Sequence, residues 1–415
     1  MYYPYLDRYQ LYENLPIYIL ITIILILVTI FVYIKLAFPF WNIQPVYHSY
    51  DFWRALYSRP FLIQKRFLMN HINKYHDFKQ VETVAFVDAT DKQKKTFVNA
   101  LQCFLLPSEH SVFVFNNENL ETYFGGHMFS SYLSFYTQPN YTKIHEPNEP
   151  VGCISSRSGK IYIRNSIELP IYYIDFLCIH REANYKKISR TLLQTHIYKQ
   201  QLLEHIDTSR HVGSQSIMIS LFRREKELLF GIVPLTRFQT VYYEIPRANS
   251  NTILLPEHTI LISIDHTNMD LFLDFLESCI SRFECFLRAD IANVVGMIKA
   301  GILYVYCLKR MDDIISVYIF RDTRTSYDGF GGLLQLVASI HNSNSREVFM
   351  NGFVKSLFEI VKKVPVFKVF MMDEISDNFI LMNMRNRVIN RHWTAYYLYN
   401  MVTMQIANNN IFILL

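Results

Sequence analysis

Apolar residues along the chain recur at two spacings, one typical of buried strands and the other of amphipathic helices. The run 171–180 is rich in β-branched and aromatic residues and predicts a buried strand. After a polar stretch, the apolar residues adopt near-helical spacing, which predicts a helix. The residues at that spacing are Ile188, Leu192, Ile197, Leu203 and Ile206.

A second unit of the same kind follows in the C-terminal half. The run 314–320 and the segment "PVFKVFMMD" predict strands on either side of the amphipathic helix "VFMNGFVKSLFEIVKKV", and "WTAYYLYNM" predicts a further strand. Strand-then-helix alternation in two successive halves predicts an α/β protein with two related lobes. The polar breaks at 207–216 and 246–252 are not clear linkers, so we expect the lobes to share one continuous sheet or a broad interface.

One stretch near the N-terminus, 17–34, has eighteen residues and no charge. At 1.5 Å per residue, such a helix is long enough to span about 30 Å of hydrocarbon. A cleaved signal peptide is the competing interpretation, but the run exceeds an apolar region of roughly 7–15 residues and no small-residue cleavage site follows. The basic residues that follow the span place the C-terminal part in the cytosol by the positive-inside rule. These residues are Lys35, Arg54, Arg59, Lys65 and Arg66.

The sequence therefore predicts a single-pass membrane protein in four parts. Residues 1–16 form a short extracytosolic N-terminus, 17–36 form the anchor, and 37–210 and 211–415 form two cytosolic lobes. The glycosylation sequon at Asn140 would be used only in the reverse orientation.

Composition narrows the function classes. Hydrophobic residues make up 51% of the chain and aromatic residues 15%, which favours a large packed core over disorder. With only 12 glycines, the chain has no glycine-rich phosphate loop, and its net charge of +5 is scattered among acids, so nucleic-acid binding has no support. The six cysteines and fourteen histidines show no metal-ligand spacing, and we expect no metal and reduced cysteines.

Two local features suggest chemistry. Lys186 and Lys187 precede the predicted helix, where helix N–H groups favour an anion, although two lysines at a turn are also typical of a solvated surface. The chain ends on "NNNIFILL", five apolar residues where polar residues are usual. Either this tail is a last buried strand, or the carboxylate of Leu415 must lie at a fixed place inside the protein.

Five motifs, in order from residue 38 onward, resemble those of N-myristoyltransferases. "DFLCIHREANYKKIS" is similar to the family motif N-F-L-C-V-H-K-K-L-R-S-K-R-V-A-P, and "FPFWNIQPV" (38–46) is similar to Y-x-F-W-x-T-Q-P-V. "AYYLYNM" resembles Q-Y-Y-L-Y-N-W, while "ISVYIFR" and "ASIHN" correspond to two less specific motifs.

The resemblance implies two acetyltransferase-like (GNAT-type) lobes related by pseudo-twofold symmetry. The lobe 37–210 would hold myristoyl-CoA, and the lobe 211–415 would form most of the peptide groove. The reaction would transfer a C14 acyl chain from CoA to the N-terminal glycine of cytosolic proteins. Myristoyl-CoA would be a substrate, with no prosthetic group, and the enzyme would act as a monomer.

The resemblance also implies roles for individual residues. The backbone N–H groups of Phe176 and Leu177 would form the oxyanion hole for the thioester carbonyl. Phe40 and Trp41 would pack against the nucleotide, and Ser316 and Asn342 would contact the peptide. The CoA phosphates and pantetheine would be lined by Cys178, Ile179, Tyr185, Lys186, Lys187, Ile188 and Ser189.

The family uses its own C-terminal carboxylate to deprotonate the glycine ammonium, which would assign that role to Leu415. An ammonium with a pKa near 8 is a poor nucleophile until it loses a proton to a positioned base.

This chain departs from the family at several positions. Asp175 replaces the family's Asn, Asn184 replaces the Arg that opens the phosphate loop, and Arg190 replaces the Pro that closes it. The family's acidic motif corresponds to Asp373 or Glu374. These departures keep two alternatives open: a non-catalytic membrane scaffold with this fold, and an acyltransferase with a different amine acceptor. The anchor itself either brings the CoA-binding side close to the membrane or simply tethers the protein.

Overall fold

The fold was analysed in a computed structural model. It describes residues 5–51, 54, 59–66, 72–105, 111–138, 150–164, 167–209, 217–246, 253–327, 331–342, 345–382 and 387–415. The sequon at Asn140 lies outside the described residues, as do most of the two polar breaks.

The described helices and strands confirm the α/β class. The α-helices are α1 (Tyr5–Ala37), α2 (Asp91–Phe104), α3 (Asn117–Phe124), α4 (Tyr185–Ser209), α5 (Met269–Cys279), α6 (Ile291–Lys299), α7 (Arg346–Lys363) and α8 (Asn378–Leu381). The strands of the first half are β1 (Phe61–Leu62), β2 (Val81–Ala85), β3 (Ser111–Phe113), β4 (Tyr132–Thr137), β5 (Pro150–Ile163), β6 (Ile167–Ile179), β7 (Ser220–Glu225) and β8 (Thr236–Glu244). Those of the second half are β9 (Thr259–Ile264), β10 (Cys285–Ala289), β11 (Leu303–Arg310), β12 (Asp313–Tyr327), β13 (Gly331–His341), β14 (Phe367–Asp373), β15 (Val388–Tyr399), β16 (Met401–Val402) and β17 (Ile411–Leu414).

Helix α1 contains the predicted membrane span. Its segment Asn14–Ala37 has a mean hydropathy of 3.0 and lies almost entirely outside the folded core. The hydroxyls of Thr22 and Thr29 each donate to the carbonyl four residues earlier, at 2.8 Å, so both polar groups are satisfied within the helix. The helix is thus long and apolar enough to cross a bilayer.

The same arrangement of elements occurs twice in the chain. In the first half, β2, β4, β5, β6 and β7 are sheet neighbours in that order, with two helices after β2 and α4 between β6 and β7. In the second half, β9, β11, β12, β13 and β14 repeat that order, with two helices after β9 and α7 between β13 and β14. The last pair of each series is parallel and the other pairs are antiparallel. This repeat explains why the sequence shows two similar strand-and-helix units.

The two repeats exchange strands within one continuous fifteen-stranded sheet. β15 pairs with β7 of the first repeat, and β8 pairs with β14 of the second. Likewise β3 pairs with the far end of β12, while β10 pairs with the far end of β5. The expected shared sheet is therefore confirmed. The exact lobe boundary at 210/211 stays a prediction.

Helix α4 covers the first repeat and buries a histidine. His196 has no exposed surface, and its Nδ1 lies 2.7 Å from the Ser134 hydroxyl on β4. Burial lowers the pKa of His196 to about 3, so the ring is neutral at physiological pH.

Acidification is expected to destabilise the fold through His196. Its pKa is lower in the folded than in the unfolded state, so the unfolded chain binds the extra proton below about pH 6.5. The resulting loss in the free energy of unfolding is absent at neutral pH and is on the order of 2 kcal/mol at pH 5. It continues to grow as the pH falls toward 3. Urea unfolding of wild-type and His196→Gln protein between pH 7 and 5 measures it. An equal loss of stability in both proteins would exclude His196 as the cause.

Candidate functional site

The sheet opens between β6 and β7, and this opening forms the candidate site. The two strands pair only from Tyr172 to Ile174, opposite Ser220 to Phe222, and then separate. A cavity of about 350 Å³ lies where they diverge. Its walls include Asp175, Phe176 and Leu177 on β6 and Arg223 on β7. The pair predicted as the oxyanion hole therefore borders a cavity.

A β-bulge sets the geometry of β6 at this point. Cys178 pairs with Cys153 and Asp175 pairs with Ser155, so Phe176 and Leu177 together face a single residue of β5. Phe176 has φ +51, which is uncommon for a residue other than glycine, Asn or Asp. Its ring is fixed by neighbouring aromatic rings, with centroids 5.1–6.3 Å away. These rings belong to Phe97, Phe113, Phe115, Tyr123 and Phe124.

Asp175 changes the hydrogen bonding at the bulge. Its Oδ1 accepts the backbone N–H of Phe176 at 2.9 Å, and its Oδ2 accepts the Tyr123 hydroxyl at 2.5 Å. Arg157, only 1% exposed, donates to the Tyr123 hydroxyl at 2.7 Å and lies over the same ring. One of the two predicted oxyanion donors is thus already bonded to a carboxylate.

If Phe176 and Leu177 form the oxyanion hole that the motifs imply, replacing Asp175 with Asn is expected to raise the rate of acyl transfer about tenfold. A carboxylate holds the Phe176 N–H more strongly than a neutral amide does, and it repels negative charge developing on the thioester oxygen. The amide has the same shape, so substrate binding should change little. Steady-state kinetics should show the gain in kcat rather than in KM. A lower kcat in Asp175→Asn would show that the carboxylate is needed.

The C-terminal strand is buried at one end of the sheet order, where β10 is its sheet partner. β17 pairs in parallel with β10, and Leu415 is 4% exposed. The absence of a side chain at Gly159 makes room for it, because a Cβ there would lie 2.8 Å from the Arg288 carbonyl and 3.1 Å from Leu415 Cδ2. The prediction of a last buried strand is confirmed.

Arg321 holds the end of the chain. Its Nη2 donates to the main-chain oxygen of Leu415. Burial raises the pKa of Tyr123 and of Tyr396, and the charge of Arg321 acts against both rises. Tyr123 also donates to Asp175 at the bulge, so the charge that binds the end of the chain acts on the groups at the bulge, and we call these groups together the polar region.

A buried ion pair completes this region. Arg223 donates to both oxygens of Asp373, at 2.7 and 3.0 Å, and Thr240 donates to the same carboxylate at 2.6 Å. Gln335 also donates to Asp373, at 3.3 Å, and is the cross-strand neighbour of Arg321. Gln335 thus brings this hydrogen-bond network to the strand position opposite Arg321, and Arg223 brings it to the wall of the cavity. Of the two acidic residues proposed from sequence, Asp373 is the one in this network.

A second cavity of about 350 Å³ adjoins the first along Trp41, Leu177 and Tyr185. It lies at the N-terminus of α4, where Asn184 Oδ1 accepts the Lys187 N–H at 3.1 Å. Lys186, Arg190 and Arg224 supply cationic side chains to its walls, and Glu227 supplies an acidic one. A helix N-terminus with three cations suits a polyanion. Arg190 thus supplies positive charge to this cavity, while Asn184 caps the helix.

The predicted CoA contacts divide into two groups. Those that line the cavities are Phe40, Trp41, Tyr185, Lys186 and Ser189. The others, which are not among the lining residues, are Cys178, Ile179, Lys187 and Ile188. Three members of this second group are buried in the core.

The two predicted peptide contacts lie elsewhere. Ser316 is fully buried, and its hydroxyl donates to the Ile315 carbonyl at 2.7 Å. Asn342 accepts a hydrogen bond from Arg282 at 3.0 Å. Neither residue lines the cavities described above, so their role in peptide binding stays a prediction.

The first and last motifs of the sequence meet in space. Val46 forms an antiparallel bridge with Tyr399, and the Asn400 N–H donates to the Pro45 carbonyl at 2.6 Å. Trp41 stacks on Phe222, which stacks on Tyr397, both with centroids 5.5 Å apart. These contacts fix Trp41 as a wall of the site.

Comparison with solved structures identifies the fold. The structure is similar to Saccharomyces cerevisiae N-myristoyltransferase with bound myristoyl-CoA, with a TM-score of 0.66 and 14% sequence identity over 89% of this chain and 94% of that one. A structure of the same yeast enzyme with bound myristoyl-CoA and inhibitors gives a TM-score of 0.66 and 14% identity over 90% and 92%. No family model matches the sequence, and no curated protein matches it. The resemblance inferred from the five motifs is confirmed at the level of the fold.

Proposed function

We propose that the chain transfers a myristoyl group from myristoyl-CoA to the N-terminal glycine of cytosolic proteins. The observation that carries the proposal is the inward placement of Leu415, whose main-chain oxygen is bound by Arg321 in the polar region that includes the bulge at Phe176. In a chain that ends at Leu415, this oxygen belongs to a carboxylate, which can serve as the base.

The nucleotide would bind in the second cavity. Its phosphates would lie at the N-terminus of α4 among Lys186, Arg190 and Arg224, and Phe40 and Trp41 would pack against the nucleotide end. The pantetheine would then run past Tyr185 to Leu177, which lines both cavities. This path brings the thioester to the bulge.

The chemistry is aminolysis of a thioester. The Leu415 carboxylate takes a proton from the glycine ammonium, and the free amine attacks the thioester carbonyl. The N–H groups of Leu177 and Phe176 stabilise the resulting oxyanion, with the Phe176 N–H leaving Asp175. The oxyanion then re-forms the carbonyl as the C–S bond breaks, and the second proton of the attacking nitrogen passes to the thiolate, so that the amide remains and CoA leaves as the thiol.

The anchor would place this reaction at a membrane surface. Only Phe38 and Pro39 separate the end of α1 from Phe40 and Trp41. The lobes would lie in the cytosol by the positive-inside rule. The cytosol is where they would meet those nascent chains that begin with Met-Gly. A membrane-anchored enzyme would release its acylated product next to the bilayer that the product binds.

The test is direct. The full chain in detergent or nanodiscs is incubated with myristoyl-CoA and a peptide that begins Gly-Ser, and the expected result is a myristoyl mass gain on the α-amine. A matched peptide with an acetylated N-terminus and one internal lysine tests whether a lysine side chain can be the acceptor instead of the α-amine. Product on lysine would favour the alternative acceptor.

A non-catalytic scaffold is the second candidate. The bond between Asp175 and the Phe176 N–H favours it, because this bond occupies an oxyanion donor. Tight CoA binding without any acylated product, in wild type and in Asp175→Asn alike, would establish the scaffold and overturn the enzyme.

A further inference from the structure

A third cavity, of about 350 Å³, lies between α1 and the folded domain. Ile30, Tyr33 and Ile34 from the last turns of the helix form one wall, and Phe230 and Ile232 from the segment before β8 face them. Most of the exposed surface of these walls is apolar. The cavity lies at the end of the span, since Lys35 follows directly.

An aromatic stack forms the edge of this cavity beside the helix. The rings of Phe38 and Phe230 stack with centroids 5.3 Å apart, and Tyr33 packs edge-on against Phe38 at 6.4 Å. Phe230 is 67% exposed although it is large and apolar. Aromatic rings at the end of a membrane span typically lie at the level of the lipid headgroups. With the helix in a bilayer, the cavity therefore opens at the membrane surface.

Polar side chains line the cavity beside these apolar ones. The Tyr50 hydroxyl donates to Asn42 Oδ1 at 2.9 Å, and the His48 ring stacks on Tyr50 at 4.8 Å. Arg54 and Asp51 form an ion pair at 2.7 Å close to these residues in sequence. The cavity is thus mainly apolar with a few polar groups, which matches the composition of a single-chain amphiphile.

The cavity shares walls with the candidate site. Trp41 lines all three cavities. In the adjoining segment, Leu229 lines the two site cavities, while Phe230, Gly231 and Ile232 line the one at the helix. One indole ring and one short segment therefore separate the helix cavity from the site.

We infer that the helix cavity binds the acyl chain of a long-chain acyl-CoA held in the bilayer, before that chain reaches the site. The occupant is a single acyl chain because the cavity has only about 350 Å³ and is lined mainly by apolar groups. It is the donor rather than a bulk lipid because the cavity adjoins the thioester site through Trp41. The inference rests on the proposed function, which supplies both the donor and the membrane.

Photolabelling tests the inference without requiring turnover. The full chain in phosphatidylcholine nanodiscs is exposed to a myristoyl-CoA analogue with a non-transferable thioether and a diazirine at the end of its chain. The expected label is on Phe38, Phe230 and Ile232, and excess myristoyl-CoA should remove it. Ile34→Trp fills the cavity and should lower that label about tenfold, since it displaces roughly two methylenes from an apolar site.

The matched control is Ile23→Trp. Ile23 is exposed and lies eleven residues before Ile34, so it is on the same face of the helix but about three turns deeper. This variant should label like wild type. A label spread evenly along α1, or one unaffected by Ile34→Trp, would overturn the inference.

A second probe identifies the source of the chain. Phosphatidylcholine carrying the same diazirine chain should label the lipid-facing surface of α1 but not the cavity. Cavity labelling by this lipid that myristoyl-CoA does not displace would overturn the donor assignment. Specific labelling without acyl transfer would support acyl-chain binding in the cavity and contradict the proposed function. Acyl transfer without cavity labelling would support the proposed function and overturn the inference.

Discussion

Adding one glycine after Leu415 is expected to lower the rate of acyl transfer about a hundredfold to ten-thousandfold, the range that a positioned general base contributes. The extension converts the carboxylate into an amide and moves the new carboxylate by about 3.3 Å, one residue along a strand. Removing Leu415 should lower the rate by a similar factor, because it also moves the terminal carboxylate by one residue. Single-turnover acylation of a Gly-Ser peptide measures the loss.

The matched control is Leu415→Ile, which keeps both the carboxylate and the chain length. Leu415 is buried among apolar residues, so this volume-conserving change should cost less than about 1.5 kcal/mol of stability. CoA binding, followed by calorimetry, should be equal in all these proteins. An extended chain that transfers myristate at the wild-type rate would remove Leu415 from the mechanism.

Replacing Arg321 with Met is expected to lower acyl transfer about tenfold to a hundredfold, as expected when a general base is left misplaced. Arg321 binds the main-chain oxygen of Leu415, so its loss frees the end of the chain. Because Arg321 is only partly buried, the loss of stability should be about 1–3 kcal/mol, below that for a fully buried pair.

The pH profile separates positioning from simple destabilisation. A nearby cation favours the ionised form of a carboxyl group, so the acidic limb of the kcat/KM profile should move to higher pH in Arg321→Met. Arg321→Lys should restore the position of that limb in part. Arg310→Met, on the neighbouring strand β11, is the control and should leave the profile unchanged. An unshifted profile in Arg321→Met would show that Arg321 acts only on stability.

The sequence predicts much of the fold because the relevant signals are local. β6 and α4 follow from the run 171–180 and the apolar spacing after it, and α1 follows from the uncharged stretch 17–34. Motifs with a fixed order single out Phe40, Trp41 and Lys186, which line a cavity, and their role in CoA binding stays a prediction. In each case, neighbouring residues carry the information.

The polar region could not be predicted, because its partners are far apart in sequence. Arg321 and Leu415 are separated by 94 residues, and Arg223 and Asp373 by 150. Tyr123 and Arg157 belong to no motif, and Arg321 is only the last residue of the less specific motif "ISVYIFR", so nothing local indicates that these side chains meet. The substitution at Asp175 was visible in the sequence. Its bond to the Phe176 N–H was not, because it depends on the bulge and on φ +51 at Phe176.

The strand exchange between the two repeats has a consequence for how the protein is made. The sheet of the first repeat is completed by β10 and β15, and β17 adds to it only when the last residues have been synthesised. Such long-range pairing slows folding. During synthesis, α1 is complete long before the domain behind it can close. A chain cut before β10 would contain every strand of the first repeat but would lack the strands that flank it in the sheet.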